Sequence, residues 1–332
     1  MKKWIPKGGR FAPKGAPKQR RYKQKITKKQ VKDWVFVAII LAYPVLQFVI
    51  TWAFVNVGSL FMAFERTDIY GNTEFCGFDQ FVKVIKDIFE SSLNDTGVSW
   101  LNNSSVIILN SLGYAAITIF ISLPLSLLFS YFLHKKMPFA NVFRVIFFLP
   151  NIIPIVALVM AYNMPLDSTY GYMYGFLKAL GFEGYLYDSW PQSQLFVYVY
   201  CIWAGLGYNI VLMSGAIGRI PKEIFESAQL DGAGYFKEFT KITIPLIWPT
   251  IVTLIVLGLT NVLTLYLQPY LLTGGDGLTY SIAMEIFMGT AEFNPAKYSE
   301  MAAKGLLFSV IWAPIVLLIR NRLSKKYDGV DY

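Results

Sequence analysis

The side chains that could do chemistry are few, and they are polar rather than reactive. One histidine, His134, and two cysteines, Cys76 and Cys201, are all that 332 residues offer of those types. A single His rules out a His-rich metal site. One Cys in a polar loop and another inside an apolar run make no disulfide framework. The dipeptide Gly-Lys never occurs, so the Gly-x-x-x-x-Gly-Lys-Ser/Thr loop that cradles nucleotide phosphates is absent. No cofactor is expected. The clustered His, Asp or Cys that a membrane-bound enzyme would want is missing too. What remains is a set of amides and phenols inside or at the ends of apolar runs: Asn110, Tyr162, Asn163, Tyr208, Asn209, Asn261, Tyr266 and Gln268. Polar groups at membrane depth either mark a transport path or hydrogen-bond one helix to another. Amides bond hydroxyls and aromatic rings stack on C–H faces, so the set suits a sugar. Asn261 and Gln268 are seven apart and share one face of a helix. That face ranks first as a substrate path and Asn209 next, with Tyr208 and Tyr266 completing the candidates. Gly205 and Gly207 read as sites of close helix approach.

A second stretch stands out by contrast. ESAQLDGAGYFKEFTKITIPLIWP, residues 226–249, is charged and water-soluble in type within a chain of long apolar runs. Pro221 suits the first turn of a helix, and Glu223 and Glu226 complement its positive end. Ile224, Phe225, Ala228 and Leu230 give that helix a short apolar face. Asp231-Gly232 is a turn signal. A second helix follows, with Phe236, Phe239 and Ile242 on one face, Lys237, Glu238 and Lys241 elsewhere, and Pro245 as its stop. Helices this short are marginal alone, since about 12–15 residues are needed for independent stability. Something must cover them. The residues leave two readings open: a loop folded back on its own membrane domain, or a docking element for a soluble partner.

The elements that position these residues are membrane spans. The chain is 55% hydrophobic and only 15% charged, with a mean hydropathy of +0.45. A soluble domain carries roughly 25% charged residues. A span needs about 20 mostly apolar residues. Six stretches qualify: 34–64, 106–133, 145–164, 195–217, 247–272 and 305–319, the last starting about a turn earlier than drawn. Pro44 offers a bend in the first. Pro150 and Pro154 make the early turns of the third irregular. No cleavable signal peptide is visible, and the first span reads as a retained anchor.

Charge sets the orientation. Of 30 basic residues, 24 fall in the tail 1–33, the loop after the second span, the stretch 219–241 and the C-terminal tail. Six spans place both termini on one side, and the positive-inside bias makes that side cytoplasmic. The tail 1–33 carries Gly and Pro and reads as a disordered juxtamembrane segment that touches anionic lipid, not nucleic acid. The residues 323–332 form a second cytoplasmic tail. The Asn-x-Ser/Thr matches at Asn94 and Asn102 are of a kind common by chance.

On these residues the chain resembles a known family. Glu-Ser-Ala-x-x-Asp-Gly-Ala at 226–233, followed by Phe239, Ile242, Ile244-Pro245 and Pro249, is similar to the EAA loop of binding-protein-dependent ABC importer permeases. Ser227 and Ile244 stand where that family favours Ala and Leu. FFLPNIIPIVALVMAY (147–162), YGYMYGFLKALGF (170–182), LQPYLLTGGD (267–276) and FCGFDQF (75–81) resemble further stretches of the carbohydrate permeases of the MalF type. The resemblance implies an all-α polytopic fold, the type I importer permease, with its six-span domain over 34–322 and a coupling loop at 221–245. It implies that Glu226, Ala228, Asp231, Gly232 and Ala233 are the ATPase-coupling positions. Glu226 would pair with a basic group on the ATPase, or cap its own helix. It implies an ATP-binding subunit dimer, a second permease, usually a different chain, and an extracytoplasmic solute-binding protein, in a prokaryotic cell membrane. A secondary transporter is the alternative. It would want a buried ionisable residue, and the six interiors contain almost none.

Overall fold

The computed structural model describes residues 28–68, 70–90, 103–135, 137–182, 184–188, 190–292 and 294–325. The basic tail to residue 27, Asn94, Asn102 and residues 326–332 lie outside them. The chain divides into two units, Met1–Val57 and Gly58–Tyr332. The first holds most of helix α1 (Lys32–Met62), an apolar run long enough to cross a membrane. Pro44 removes one backbone donor inside it. A wider-wound turn follows at Phe48–Ala53, where Phe48 and Trp52 stack at 5.0 Å.

The second unit opens with a small hairpin, β1 (Glu65–Thr67) against β2 (Thr73–Phe75), in antiparallel register with Arg66 opposite Glu74. Amphipathic helix α2 (Asp79–Glu90) follows. Its Val84 packs against Ala63 and Ala303, both fully buried. Then come α3 (Ser104–His134), α4 (Ala140–Ile152), α5 (Ile155–Leu166), the short α6 (Tyr174–Ala179) and α7 (Gln192–Ile217). The loop helices α8 (Lys222–Leu230) and α9 (Tyr235–Leu246) lead into α10 (Trp248–Thr264). The chain ends with α11 (Leu267–Thr273), α12 (Ile282–Ala291) and α13 (Pro295–Ser324).

Four of these helices, α1, α3, α7 and α13, can each cross a membrane by length and composition. Two bent pairs, α4 with α5 and α9 with α10, raise the number to six if each pair is one span. The first, second and fourth expected spans match α1, α3 and α7 to within three residues. The third does not run straight: α4 meets α5 at 107°. Pro154 has no N–H, and it forces Ile153 into an extended conformation, which breaks the helix. The fifth is broken as well. Pro269 cannot donate to the Leu265 carbonyl four residues back, so α10 ends and α11 begins after Tyr266. The Ser281 hydroxyl donates to that freed carbonyl at 2.8 Å. The sixth begins at Pro295, nearly three turns before residue 305, where one turn earlier was expected. Asn294 caps it, its side chain accepting from Ala296 N at 3.1 Å. The charges that hid this start are paired: Lys304 with Glu285, and Glu300 with Lys83. Helix α12 was not expected at all.

Helices α3 and α7 pack closely along most of their length. Ser126 and Ser130, both fully buried, donate to the α7 carbonyls of Leu206 and Ile210. Small hydroxyl residues let two helices approach, and such bonds contribute about 0.6 kcal/mol each in a membrane. Gly207 does the same for α4 and α7: a Cβ there would sit 2.1 Å from the Phe147 carbonyl oxygen. Gly205 has more room, its Cβ position lying 3.8 Å from Ser122 Oγ.

Candidate functional site: an uncharged cavity and a folded loop

The helix breaks open a cavity of about 520 Å³. One wall is the wide turn Thr118–Ser122 of α3. Such turns shift the helix register and bring both Thr118 and Ser122 to the same space. The α4–α5 break supplies Pro150, Asn151 and Ile153. Helix α7 supplies Tyr200, Cys201, Tyr208 and Asn209, and the α10–α11 break supplies Asn261, Leu265 and Gln268. None of the residues around the cavity carries a charge. Two hydroxyls on its wall, Ser122 Oγ and Tyr200 Oη, are buried and have no hydrogen-bond partner among the described residues. A buried donor left unpaired costs about 1–3 kcal/mol.

Four of the five expected path residues meet here: Tyr208, Asn209, Asn261 and Gln268. Asn261 and Gln268 do so across a helix break, not along one continuous face. The Asn261 amide also reaches Thr118 Oγ1 at 3.3 Å. Tyr266 does not line the cavity; its ring packs on Phe287 of α12 at 4.8 Å. Asn110, Tyr162 and Asn163 are structural. Asn110 donates to the Leu278 and Tyr280 carbonyls and accepts from Trp190 Nε1. Tyr162 donates to the Phe196 carbonyl, and Asn163 accepts from Tyr187 Oη at 2.7 Å. Sequence reasoning missed Ser122, Asn151 and Tyr200. Ser122, Ser126 and Ser130 recur at intervals of four, which places them on one face of α3 and was the available signal.

The loop is well formed. Helix α8 ends in a two-bond cap: Gly232 N donates to the Gln229 carbonyl at 3.0 Å, and Ala233 N to that of Ala228 at 2.9 Å. This closure needs a left-handed residue, and Gly232 has φ +75°. Phe225 and Ala228 are buried, while Glu226 and Asp231 are exposed and Ala233 half-buried. The apolar face stops sooner than expected, for Leu230 is 90% exposed. Phe236 and Tyr235 are exposed too, whereas Phe239 turns inward onto the Tyr131 ring at 5.0 Å. Glu238, expected on the solvated side, is buried. Pro245 does not stop α9. A wide turn at Phe239–Thr243 absorbs its missing donor, and the chain bends by 74° only at Ile247.

Comparison with known proteins defines the class. The family described as "Binding-protein-dependent transport system inner membrane component" matches residues 122–326, more than half of the chain. The chain belongs to this family: it is a multi-pass membrane permease of an ABC importer, not an enzyme. Among curated relatives, the arabinooligosaccharides transport system permease AraP of Bacillus subtilis is 23% identical over 322 residues, covering 95% of both chains. The diacetylchitobiose uptake permease NgcF of Streptomyces coelicolor is 27% identical over 271 residues, covering 77% of this chain and 73% of its own. The fold matches a chain of a bacterial ABC transporter that imports the acidic polysaccharide alginate. The TM-score is 0.74 at 23% identity, with 90% of this chain and 98% of that one covered. A second structure of a bacterial alginate transporter, in complex with its pentasaccharide-bound periplasmic protein, matches with a TM-score of 0.73 at 22% identity.

Proposed function

We propose that this chain forms half of the path for a neutral saccharide, driven by a separate ATP-binding subunit dimer that grips the loop 221–245. The observation that carries the substrate class is the cavity, lined by amides, hydroxyls and aromatic rings and by no charge. Neutral sugars present hydroxyls to such groups and C–H faces to the rings. The relatives whose names specify arabinooligosaccharides and diacetylchitobiose support a sugar. Tyr208, Asn209, Asn261 and Gln268 are the path residues, with Ser122 and Tyr200 packed behind them in the wall; Tyr266 supports them from outside it.

Glu226, Ala228, Asp231, Gly232 and Ala233 are the coupling positions. The exposed Glu226 and Asp231 and the exposed apolar Leu230, Tyr235 and Phe236 give the ATPase a surface to bind. A second permease completes the path, and a solute-binding protein delivers the sugar from outside. Six spans with both termini cytoplasmic fit the charge distribution. The test is reconstitution of the assembled importer in vesicles with a panel of labelled neutral, anionic and cationic saccharides. Uptake of a neutral member with ATP is expected. Uptake confined to charged members, or wild-type chain that never co-purifies with an ATPase, overturns the reading.

A further inference from the structure

Beneath the exposed surface of the loop lies a buried charge cluster, and Tyr131, Lys135 and Glu238 at its centre do not line the cavity. Glu238 is 1% exposed. Its two carboxylate oxygens lie 2.6 and 2.8 Å from Lys135 Nζ. The Tyr131 hydroxyl lies 3.1 Å both from Glu238 Oε1 and from the Tyr235 carbonyl oxygen, so it can donate to either. The same ammonium sits 5.1 Å from the centre of the Phe225 ring and 5.8 Å from those of Tyr131 and Tyr235. Three elements therefore converge on one cation. Tyr131 lies in the last turn of α3 and Lys135 is its capping residue at the cytosolic end, the Lys135 N–H donating to the Tyr131 carbonyl at 3.1 Å. Phe225 comes from α8, and Tyr235 and Glu238 from α9.

We propose that Lys135, Glu238 and Tyr131 form a latch that makes α3 and the loop move as one body. They are positioning residues for transport. The proposal rests on the reading that an ATPase drives the loop. Apolar contacts alone, such as Phe239 on Tyr131, would let the loop slide, because they have no preferred direction. A buried ion pair with a third hydrogen-bonding member has one geometry, and separating it leaves a charge without a partner. The best-attested use of such a pair is to fix register, which is what a lever needs. Helix α3 is the right element to hold. Ser122, on the cavity wall, is thirteen residues from Lys135, or about 20 Å along the helix. A displacement of the loop that carries α3 with it moves one wall of the cavity.

The experiment uses the assembled importer with its ATPase and binding protein. Glu238→Gln and Lys135→Met should still co-purify with the ATPase, since the exposed surface is intact. ATP hydrolysed per substrate imported should rise about tenfold. The swap Lys135→Glu with Glu238→Lys should recover part of the coupling, and Tyr131→Phe should show a two- to three-fold rise. A second readout is independent of import. Spin labels at Phe132→Cys on α3 and Lys237→Cys on α9, both exposed sites, should keep one separation in nucleotide-free and nucleotide-trapped states. Adding Glu238→Gln should make that separation state-dependent. Wild-type coupling in the Glu238→Gln and Lys135→Met variants, or labels that separate with the latch intact, overturns the latch and leaves the importer reading standing. A wild-type chain with no ATPase partner overturns the importer reading instead.

Discussion

Gly232 shows how one residue type can be required for its backbone alone. Its φ of +75° closes α8, yet a Cβ placed there would meet nothing within 4 Å. Gly232→Ala therefore tests conformation without a clash. A left-handed Ala costs about 1–2 kcal/mol. The chain should insert normally, while α8 frays at its end and uptake falls several-fold; hydrogen exchange of the 228–233 amides reports the fraying. Asp231→Lys tests charge at the same turn. It should abolish uptake with normal insertion, and unchanged uptake would count against coupling through this loop. Asp68 offers a pH test in the small hairpin. Its carboxylate accepts from the Asn72 side-chain amide and from the backbone N–H groups of Asn72 and Tyr70. Those bonds, the Asn72 side chain first, hold its pKa below the ordinary 3.8. The stabilisation is thus full above about 3.8 and is lost as pH falls through the lower folded value. Amide exchange at Asn72 should speed up only below that range, and Asp68→Asn should remove the pH dependence.

At the scale of elements, what the sequence made legible was set by whether a helix could run uninterrupted. Helices α1, α3 and α7 are long apolar runs, and their ends were readable to within three residues. The third and fifth spans were not, because hydropathy does not sense direction. Pro154 was visible as an irregularity and Pro269 was not read as one, and the size of a bend depends on what satisfies the freed carbonyl. For Leu265 that partner is Ser281, sixteen residues away. The start of α13 was hidden because Lys304 and Glu300 look like a loop until Glu285 and Lys83 are seen beside them. The cavity followed the same logic. Four of the proposed path residues, legible as amides and phenols in apolar runs, line the cavity, while Tyr266 does not, because after the break at Leu265 its ring packs on Phe287 of α12. Ser281 holds two elements at once, for its hydroxyl also accepts from Met284 N and caps α12. Ser281→Ala should cost about 1–2 kcal/mol from the lost cap and the unpaired Leu265 carbonyl. Thermal unfolding of the purified protein should show a lower midpoint, and uptake should fall more than stability alone explains, because Gln268 moves with α11.

For the whole molecule the question is what holds a greasy bundle to a soluble motor. On the proposed orientation the loop 221–245 faces the cytosol, where lipid cannot cover it. Yet Leu230, Tyr235 and Phe236 stand exposed at its tip, beside the exposed Glu226 and Asp231. A compact group of large apolar side chains rimmed by charge is the composition of an interface, with aromatic residues as its usual anchors. Burying a Phe or Leu fully is favourable by about 1.5–3 kcal/mol. Truncating Phe236 to Ala should therefore weaken ATPase binding by about 2 kcal/mol, or about 30-fold in affinity. Phe236→Asp combined with Leu230→Asp adds the cost of burying unpaired carboxylates and should release the ATPase during purification. Neither change touches the buried side of the loop, where Phe225, Phe239 and Glu238 pack against α3, so membrane insertion and the melting temperature of the permease alone should be unchanged. Co-purification in mild detergent reads the outcome. If the double variant retains its ATPase at the wild-type ratio, the tip of the loop is not where the motor grips, and the binding surface must be sought elsewhere on the cytosolic side.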